Sequence, residues 1–156
     1  MKFLPLLPEA QNDYKGHKAV LVIVVLLAVV STLRSLIHIF LPDGGSNAIA
    51  GLAIPGDANS AVIFTFAWTG LYQLLFATVL WIVLIRYRNL IPFMLLLLFL
   101  EELGLFLIPV FKPIASSLLT RTPPEAIGNK LLLPLSLILF FVSLIPAPER
   151  KSKAPS

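Results

Sequence analysis

The chain contains no cysteine and few charged residues. Without cysteine, disulfide bonds, thiolate catalysis and thiolate metal sites are all excluded. Charged residues make up only 13% of the 156 residues, about half the share that a soluble domain carries on its wetted surface. Hydrophobic residues make up 58%, and they fall in long runs. These proportions exclude an ordinary soluble domain and predict a single integral membrane domain over residues 1–156.

The sequence also lacks the short motifs that mark many enzymes and metalloproteins. It has no phosphate-binding loop, no zinc-ligand pattern and no nucleophile elbow. The segment 43–47 is typical of a turn, because it lacks the ligand spacing of a calcium loop. The net charge of +4 comes from basic residues at the ends of apolar runs, which is a membrane pattern rather than a nucleic-acid surface. We therefore predict no cofactor, no metal site and no nucleic-acid partner.

Four apolar runs are long enough to cross a bilayer, which takes about 20 helical residues. Proline and glycine separate these runs, since neither continues a helix at low cost. Pro42 and Gly44 follow the first run, and Pro146 follows the last. The predicted helices are residues 19–41, 61–85, 90–111 and 123–145. The predicted fold class is all-α, a four-helix transmembrane bundle with both termini cytoplasmic.

Basic residues predict the orientation. Eight lie on the side that carries both termini, and three lie on the opposite side. The eight are Lys2, Lys15, Lys18, Arg86, Arg88, Arg150, Lys151 and Lys153; the three are Lys112, Arg121 and Lys130. Lysine and arginine are enriched in cytoplasmic loops. The sequence therefore predicts cytoplasmic termini in a bacterial plasma membrane.

Polar residues inside the predicted helices are informative, because an ionisable group at a helix centre costs about 2.5–3.5 kcal/mol on insertion scales. From the rise per residue, Arg34, Gln73 and the adjacent Glu101 and Glu102 lie about 17–22 Å from the cytoplasmic end, and His38 lies at about 27 Å. These groups converge on one layer in the outer half of the membrane. The predicted ligand-binding residues are Arg34, His38, Tyr72, Gln73, Glu101, Glu102 and Ser136. No catalytic residue is predicted.

The two glutamates cannot both face Arg34, because neighbours on a helix point about 100° apart. One of them is predicted to pair with Arg34 across the first and third helices, and which one is left open. The other is predicted to stay protonated beside Gln73 and Tyr72, facing a polar cavity of at least about 300 Å³. The alternative is structural: the ion pair fixes which helices are neighbours, and the second acid packs against Gln73 without a cavity.

A set of residues between positions 66 and 102 resembles small bacterial four-helix membrane proteins that have no assigned function. The matching residues are Trp68, Gly70, Gln73, Arg86, Tyr87, Arg88, Pro92 and Glu101, and the pairs Pro42-Asp43, Gly44-Gly45 and Pro123-Pro124 fit the same pattern. The resemblance implies the four-helix topology and supplies no activity.

Three function classes remain open. The first is binding or transport of a small molecule or proton at the intramembrane polar layer. The second is a non-catalytic subunit or scaffold for a membrane-protein partner. The third is an enzyme acting on a lipid-soluble substrate, with Glu, His and Tyr as acid–base groups. The sequence specifies neither the ligand nor the oligomeric state.

Overall fold

The computed structural model describes residues 9–148, apart from the side chain of Glu125. Within that range the protein is all-helical, without strands, and four helices are long and apolar enough to cross a membrane. They are α1 (Lys18–Phe40), α2 (Ala58–Arg86), α3 (Ile91–Phe111) and α4 (Pro124–Ser143). The prediction of four membrane helices is confirmed. Residues 1–8 and 149–156, with four of the basic residues used to predict orientation, lie outside the described part.

The four helices form two hairpins. α1 packs along α2, and α3 packs along α4, whereas the hairpins touch each other only through shorter α1–α4 and α2–α3 contacts. α1 and α3 therefore occupy opposite corners of the bundle. Gly70 permits the close approach of α1 and α2, since a Cβ atom there would lie 2.7 Å from the Cβ of His38. Trp81 Nε1 also donates a hydrogen bond to Thr32 Oγ1 at 3.1 Å across the same contact.

An apolar cluster fills the bundle at the end nearest the two chain termini. Its buried members are Val20, Val24, Ala28, Leu80, Val83, Leu84, Ile91, Met94, Leu95 and Leu139. All four helices contribute, and the residues come from the start of α1 and α3 and from the end of α2 and α4. We call this part of the bundle the sealed half.

The segment before α1 closes the sealed half. Gln11 N donates to Asn89 Oδ1 at 2.9 Å, in the turn between α2 and α3. The Tyr14 hydroxyl donates to the carbonyl of Ser143 at 3.4 Å, at the end of α4. Burial raises the pKa of Tyr14 to about 12. The described ends of the chain therefore meet at one end of the bundle.

Two loops pair at the opposite end. Leu52 and Leu119 form an isolated antiparallel bridge, flanked by hydrogen bonds from Thr120 N to the Gly51 carbonyl (2.8 Å) and from Ala53 N to Leu118 O (2.9 Å). We call residues 47–53 together with 118–121 the lid. The side chain of Arg121 also joins the two loops of the lid, because its guanidinium donates hydrogen bonds to the carbonyls of Asn47 and Ala48.

Asp43 organises the loop that leads into the lid. Its carboxylate accepts hydrogen bonds from the backbone N–H groups of Ala48 (2.6 Å), Gly45 (2.9 Å) and Asn47 (3.1 Å). These N–H groups, with that of Ala48 foremost, hold the pKa of Asp43 below its usual range. Gly44 and Gly45 adopt positive φ angles of 60° and 80° in this loop. The predicted turn at this position is confirmed.

Candidate functional site

A cavity of about 520 Å³ lies between the two hairpins, in the half of the bundle next to the lid. We call this part of the bundle the cavity half. Its polar lining residues are Arg34, His38, Thr65, Thr69, Gln73 and Asn129. Leu119 of the lid lines the cavity as well, so the paired loops lie at its outer end.

The two walls of the cavity differ in chemistry. The α1–α2 hairpin supplies every polar lining residue except Asn129. The opposite wall consists mainly of Leu105, Ile108 and Pro109 from α3, with Ile114 from the following loop. Pro109 has no N–H to give to the helix ladder, which weakens α3 where it borders the cavity. The cavity therefore has one hydrogen-bonding wall and one hydrocarbon wall.

His38 and Arg34 form a hydrogen-bonded pair on the polar wall. His38 is buried, with 5% of its surface exposed. Its Nδ1 lies 2.7 Å from the carbonyl oxygen of Gly44. Since a carbonyl only accepts, Nδ1 carries the proton. Nε2 is then the acceptor for the Nε–H of Arg34, at 3.4 Å.

The two hydrogen bonds of His38 limit its part in acid–base chemistry. Both ring nitrogens of His38 are engaged, one by the Gly44 carbonyl and one by Arg34. The hydrogen bond from Arg34 Nε to the imidazole restrains the Arg34 side chain, and both residues line the cavity. A general acid or base needs a ring nitrogen within reach of a substrate, and this arrangement leaves His38 a positioning role.

Two buried side-chain oxygens have no hydrogen-bond partner among the described residues. They are Oε1 of Gln73 and Oε2 of Glu102. Gln73 lines the cavity. Glu102 follows Leu95 and precedes Pro109 by seven residues each, so it shares their helix face. It lies on α3 between the apolar cluster and Pro109, and neither Glu102 nor Glu101 is among the residues that line the cavity.

Arg34 lies within electrostatic reach of both glutamates of α3. Its positive charge acts on the carboxyl groups of both Glu101 and Glu102. Glu101 is exposed and Glu102 is buried, as expected for adjacent residues about 100° apart on a helix. The Arg34–glutamate ion pair stays a prediction. Because α1 and α3 lie at opposite corners, such a pair would cross the interior of the bundle.

The structure brings together only some of the predicted site residues. Arg34, His38 and Gln73 line the cavity. Tyr72 lies outside it, 58% exposed, with its ring 6.0 Å from that of Trp68. Ser136 is also outside the lining; it is buried in α4 and donates to the carbonyl of Leu133 at 2.9 Å. Tyr72 differs from Gln73 because one residue of rotation turns it to the outer face of α2.

Sequence reasoning missed the hydrocarbon wall and the lid. Leu105, Ile108 and Ile114 have the same composition as residues that face lipid, so no sequence signal separates them. The lid depends on contacts between residues about 70 positions apart, such as Gly51 and Thr120. The threonines were recognisable, because Thr65 and Thr69 are spaced one helical turn apart.

Comparisons with protein-family models, with curated proteins and with solved structures find no match for this chain. Its function is therefore inferred from the cavity and the side chains around it.

Proposed function

We propose that this protein is an integral membrane protein that binds a small, largely apolar molecule in the cavity between its two helix hairpins. The cavity volume of about 520 Å³ lies within the range of small-molecule sites, about 300–1,000 Å³. Its mixture of many apolar and few polar lining residues is also typical of such sites.

The unpartnered oxygen of Gln73 carries the proposal. A buried polar atom without a partner costs about 1–3 kcal/mol. Gln73 Oε1 is such an atom, and its side chain lines the cavity. A ligand in the cavity would remove that cost by donating a hydrogen bond once the Gln73 side chain turns this buried oxygen toward it. Among the described residues, no side chain or backbone group packed around Gln73 donates a hydrogen bond to this oxygen.

A side opening supports access from the bilayer. A second cavity, of about 330 Å³, also borders Arg34 and His38. Its other lining residues include Val30 and Leu33, which are 60% and 57% exposed, and Pro124 at the start of α4. α1 and α4 make few contacts with each other. A lipid-soluble molecule would therefore reach the site between these helices, while the lid covers the aqueous end.

A photolabelling experiment tests this proposal. The protein in lipid nanodiscs is exposed to an alkyl diazirine, and the labelled peptides are mapped by mass spectrometry. We expect labelling of Leu105 or Leu119 in the native chain. Thr69→Trp fills the cavity and should remove that labelling. Thr78→Trp is the matched control, since Thr78 is exposed on the same helix and makes the same bond to the carbonyl four residues earlier.

Two outcomes would contradict ligand binding. One is labelling of the cavity wall that Thr69→Trp leaves unchanged. The other is labelling that follows lipid exposure alone, with strong signal at Val110 and Phe111, which are 70% and 77% exposed, and none at Leu119.

The cavity is proposed to lie in the outer half of a bacterial plasma membrane, with both termini cytoplasmic. The excess of basic residues on the side of the termini supports this orientation. The connection between α1 and α2 contains Asp43 and Asp57 and no basic residue, which agrees. Reporter fusions after Ser156 and at Ser46 test it. An external signal from the fusion after Ser156 would contradict it.

A second candidate function is that of a subunit that docks on another membrane protein. A row of aromatic side chains on the outer face of α2 favours it: Phe64, Trp68 and Tyr72 are each more than half exposed. Their neighbouring rings lie 5.6 and 6.0 Å apart. Tyr72 brings a hydroxyl to the middle of the helix, where a partner could hydrogen-bond it. Loss of a copurifying partner in Tyr72→Phe, with cavity labelling unchanged, would favour this role.

A further inference from the structure

The charges around the cavity disfavour a ligand with a charged head group. The guanidinium of Arg34 lines the cavity and opposes a cation. The carboxyl groups of Glu101 and Glu102 lie within electrostatic reach of Arg34, so the glutamate that is ionised there offsets its attraction for an anion. Such interactions are strong where water is scarce. A neutral head group therefore meets the least opposition from either sign.

The hydrogen-bonding groups narrow the chemistry further. Gln73 Oε1 can only accept; it is buried without a partner among the described residues, and a ligand reaches it when the side chain turns toward the cavity that it lines. The guanidinium of Arg34, which lines the same cavity, can only donate. A hydroxyl group suits both, because a single oxygen donates one hydrogen bond and accepts others. A ketone or an ether could accept from Arg34 but has no hydrogen to donate to Gln73 Oε1.

The opposite wall defines the rest of the ligand. Leu105, Ile108 and Ile114 present hydrocarbon to the cavity. The hydroxyls of Thr65 and Thr69 already donate to backbone carbonyls at 2.8 Å, so they add acceptors and no further donors. The site thus has a polar edge on α1 and α2, and apolar surface elsewhere except at Asn129 of α4.

We propose that the ligand is a neutral, lipid-soluble alcohol or phenol. Its hydroxyl donates to Gln73 Oε1 and accepts from Arg34, and its hydrocarbon body lies against the apolar residues of α3 and the loop that follows it. This inference rests on the proposed ligand-binding function and specifies the chemical class of the ligand.

Four probes with the same alkyl chain test the class: dodecanol, dodecane, dodecanoate and dodecylammonium. The full-length protein is loaded in nanodiscs, and the bound probe is measured by native mass spectrometry, with empty nanodiscs as the background. We expect dodecanol to bind about tenfold more tightly than dodecane, the effect of about one net hydrogen bond. The two charged probes should bind no better than dodecane.

A variant identifies the side chain responsible. Gln73→Leu removes the acceptor at similar size, and it should lower dodecanol binding to the level of dodecane. Binding of dodecane itself should stay unchanged. Thr78→Val is the control on the outer face of α2, and it should keep the preference for the alcohol. If Gln73→Leu does not fold, the order of the four probes on the native chain decides.

The outcomes separate this inference from the function on which it rests. Equal binding of all four probes, or preference for either charged probe, would contradict the proposal that the ligand carries a neutral hydroxyl group. It would leave the proposed ligand binding intact. A preference for dodecanol that persists in Gln73→Leu would also overturn it. No binding of any probe, together with no labelling of the cavity wall, would overturn both.

Discussion

The sealed half and the cavity half are built from the same four helices, yet only one of them is closely packed. In the sealed half, small residues such as Ala28 alternate with large ones such as Leu95, and both are almost fully buried. In the cavity half, Arg34 and Gln73 face leucine and isoleucine across an open space. Lipid is as apolar as a leucine side chain, so close packing in a membrane depends on fit and on hydrogen bonds. Where a charged surface faces an apolar one, the two surfaces neither fit closely nor hydrogen-bond to each other.

The two halves are also closed in different ways. The N-terminal segment ties the sealed half through Asn89 and Ser143, at the ends of three helices. The lid closes the cavity half through two loops that pair with each other through their backbone groups. A lid made of loops opens at lower cost than a helix core, because fewer buried contacts must break. The closure that costs less to open therefore lies beside the cavity.

The largest expected effect is the loss of the positive charge of Arg34, which lines the cavity. Arg34→Leu leaves two carboxyl groups without their nearby positive charge and His38 Nε2 without its donor. We expect the free energy of unfolding, measured by detergent titration, to fall by about 3 kcal/mol, as for the removal of one partner of a buried pair. Adding Glu101→Gln or Glu102→Gln should restore most of it for the glutamate that pairs with Arg34. If neither double variant recovers stability, the predicted pair does not exist.

A matched pair of leucines on α3 compares the packing of the two halves directly. Leu95 is 2% exposed in the apolar cluster, whereas Leu105 lines the cavity. Leu95→Ala should lower the free energy of unfolding by about 2 kcal/mol, at the low end for buried leucines because lipid rather than water is the reference. Leu105→Ala should cost less than about 0.5 kcal/mol, since its surroundings are already open. Equal losses at the two sites would contradict the contrast between the halves.

Two glycines with similar backbone angles test the lid. Gly51 and Gly56 have φ angles of 70° and 66°, so alanine at either position costs about 1–2 kcal/mol in backbone strain. A Cβ atom on Gly51 would also lie 2.5 Å from Cγ of Arg121, whereas one on Gly56 would meet nothing within 4 Å. Gly51→Ala should therefore speed hydrogen exchange at the amides of Ala53 and Thr120. Similar exchange in both variants would show that the lid does not depend on this contact.

The smallest effect concerns the closure of the sealed half at high pH. The pKa of Tyr14 is raised from 10.0 to about 12 by burial, so the unfolded chain releases the phenol proton before the folded chain does. Its contribution to stability is fully present below pH 10 and is lost as the pH rises toward 12. Tyr14→Phe should remove this part of the pH dependence of thermal unfolding. An unchanged pH dependence between 10 and 12 in the variant would contradict it.

The candidate site was predictable only in part. Arg34, His38 and Gln73 were identifiable because a polar residue within an apolar run stands out, and these residues line the cavity. Tyr72 and Ser136 satisfied the same criterion of depth, yet Tyr72 faces outward and Ser136 bonds to its own helix. Depth follows from the rise per residue, but the direction of a side chain depends on which neighbour its helix meets.

The number of membrane helices and, within a few residues, their first and last positions follow from the pattern of apolar runs alone. In hydrocarbon every backbone N–H and C=O must be paired within the segment, so an apolar run of about 20 residues has little choice but to form a helix. Which face of each helix turns toward the bundle interior depends on how the helices pack, because apolar residues suit the core and the lipid equally well. Leu105 therefore lines the cavity while Phe64 and Leu71 face outward, and the lid exists only because distant loops meet across the end of the bundle.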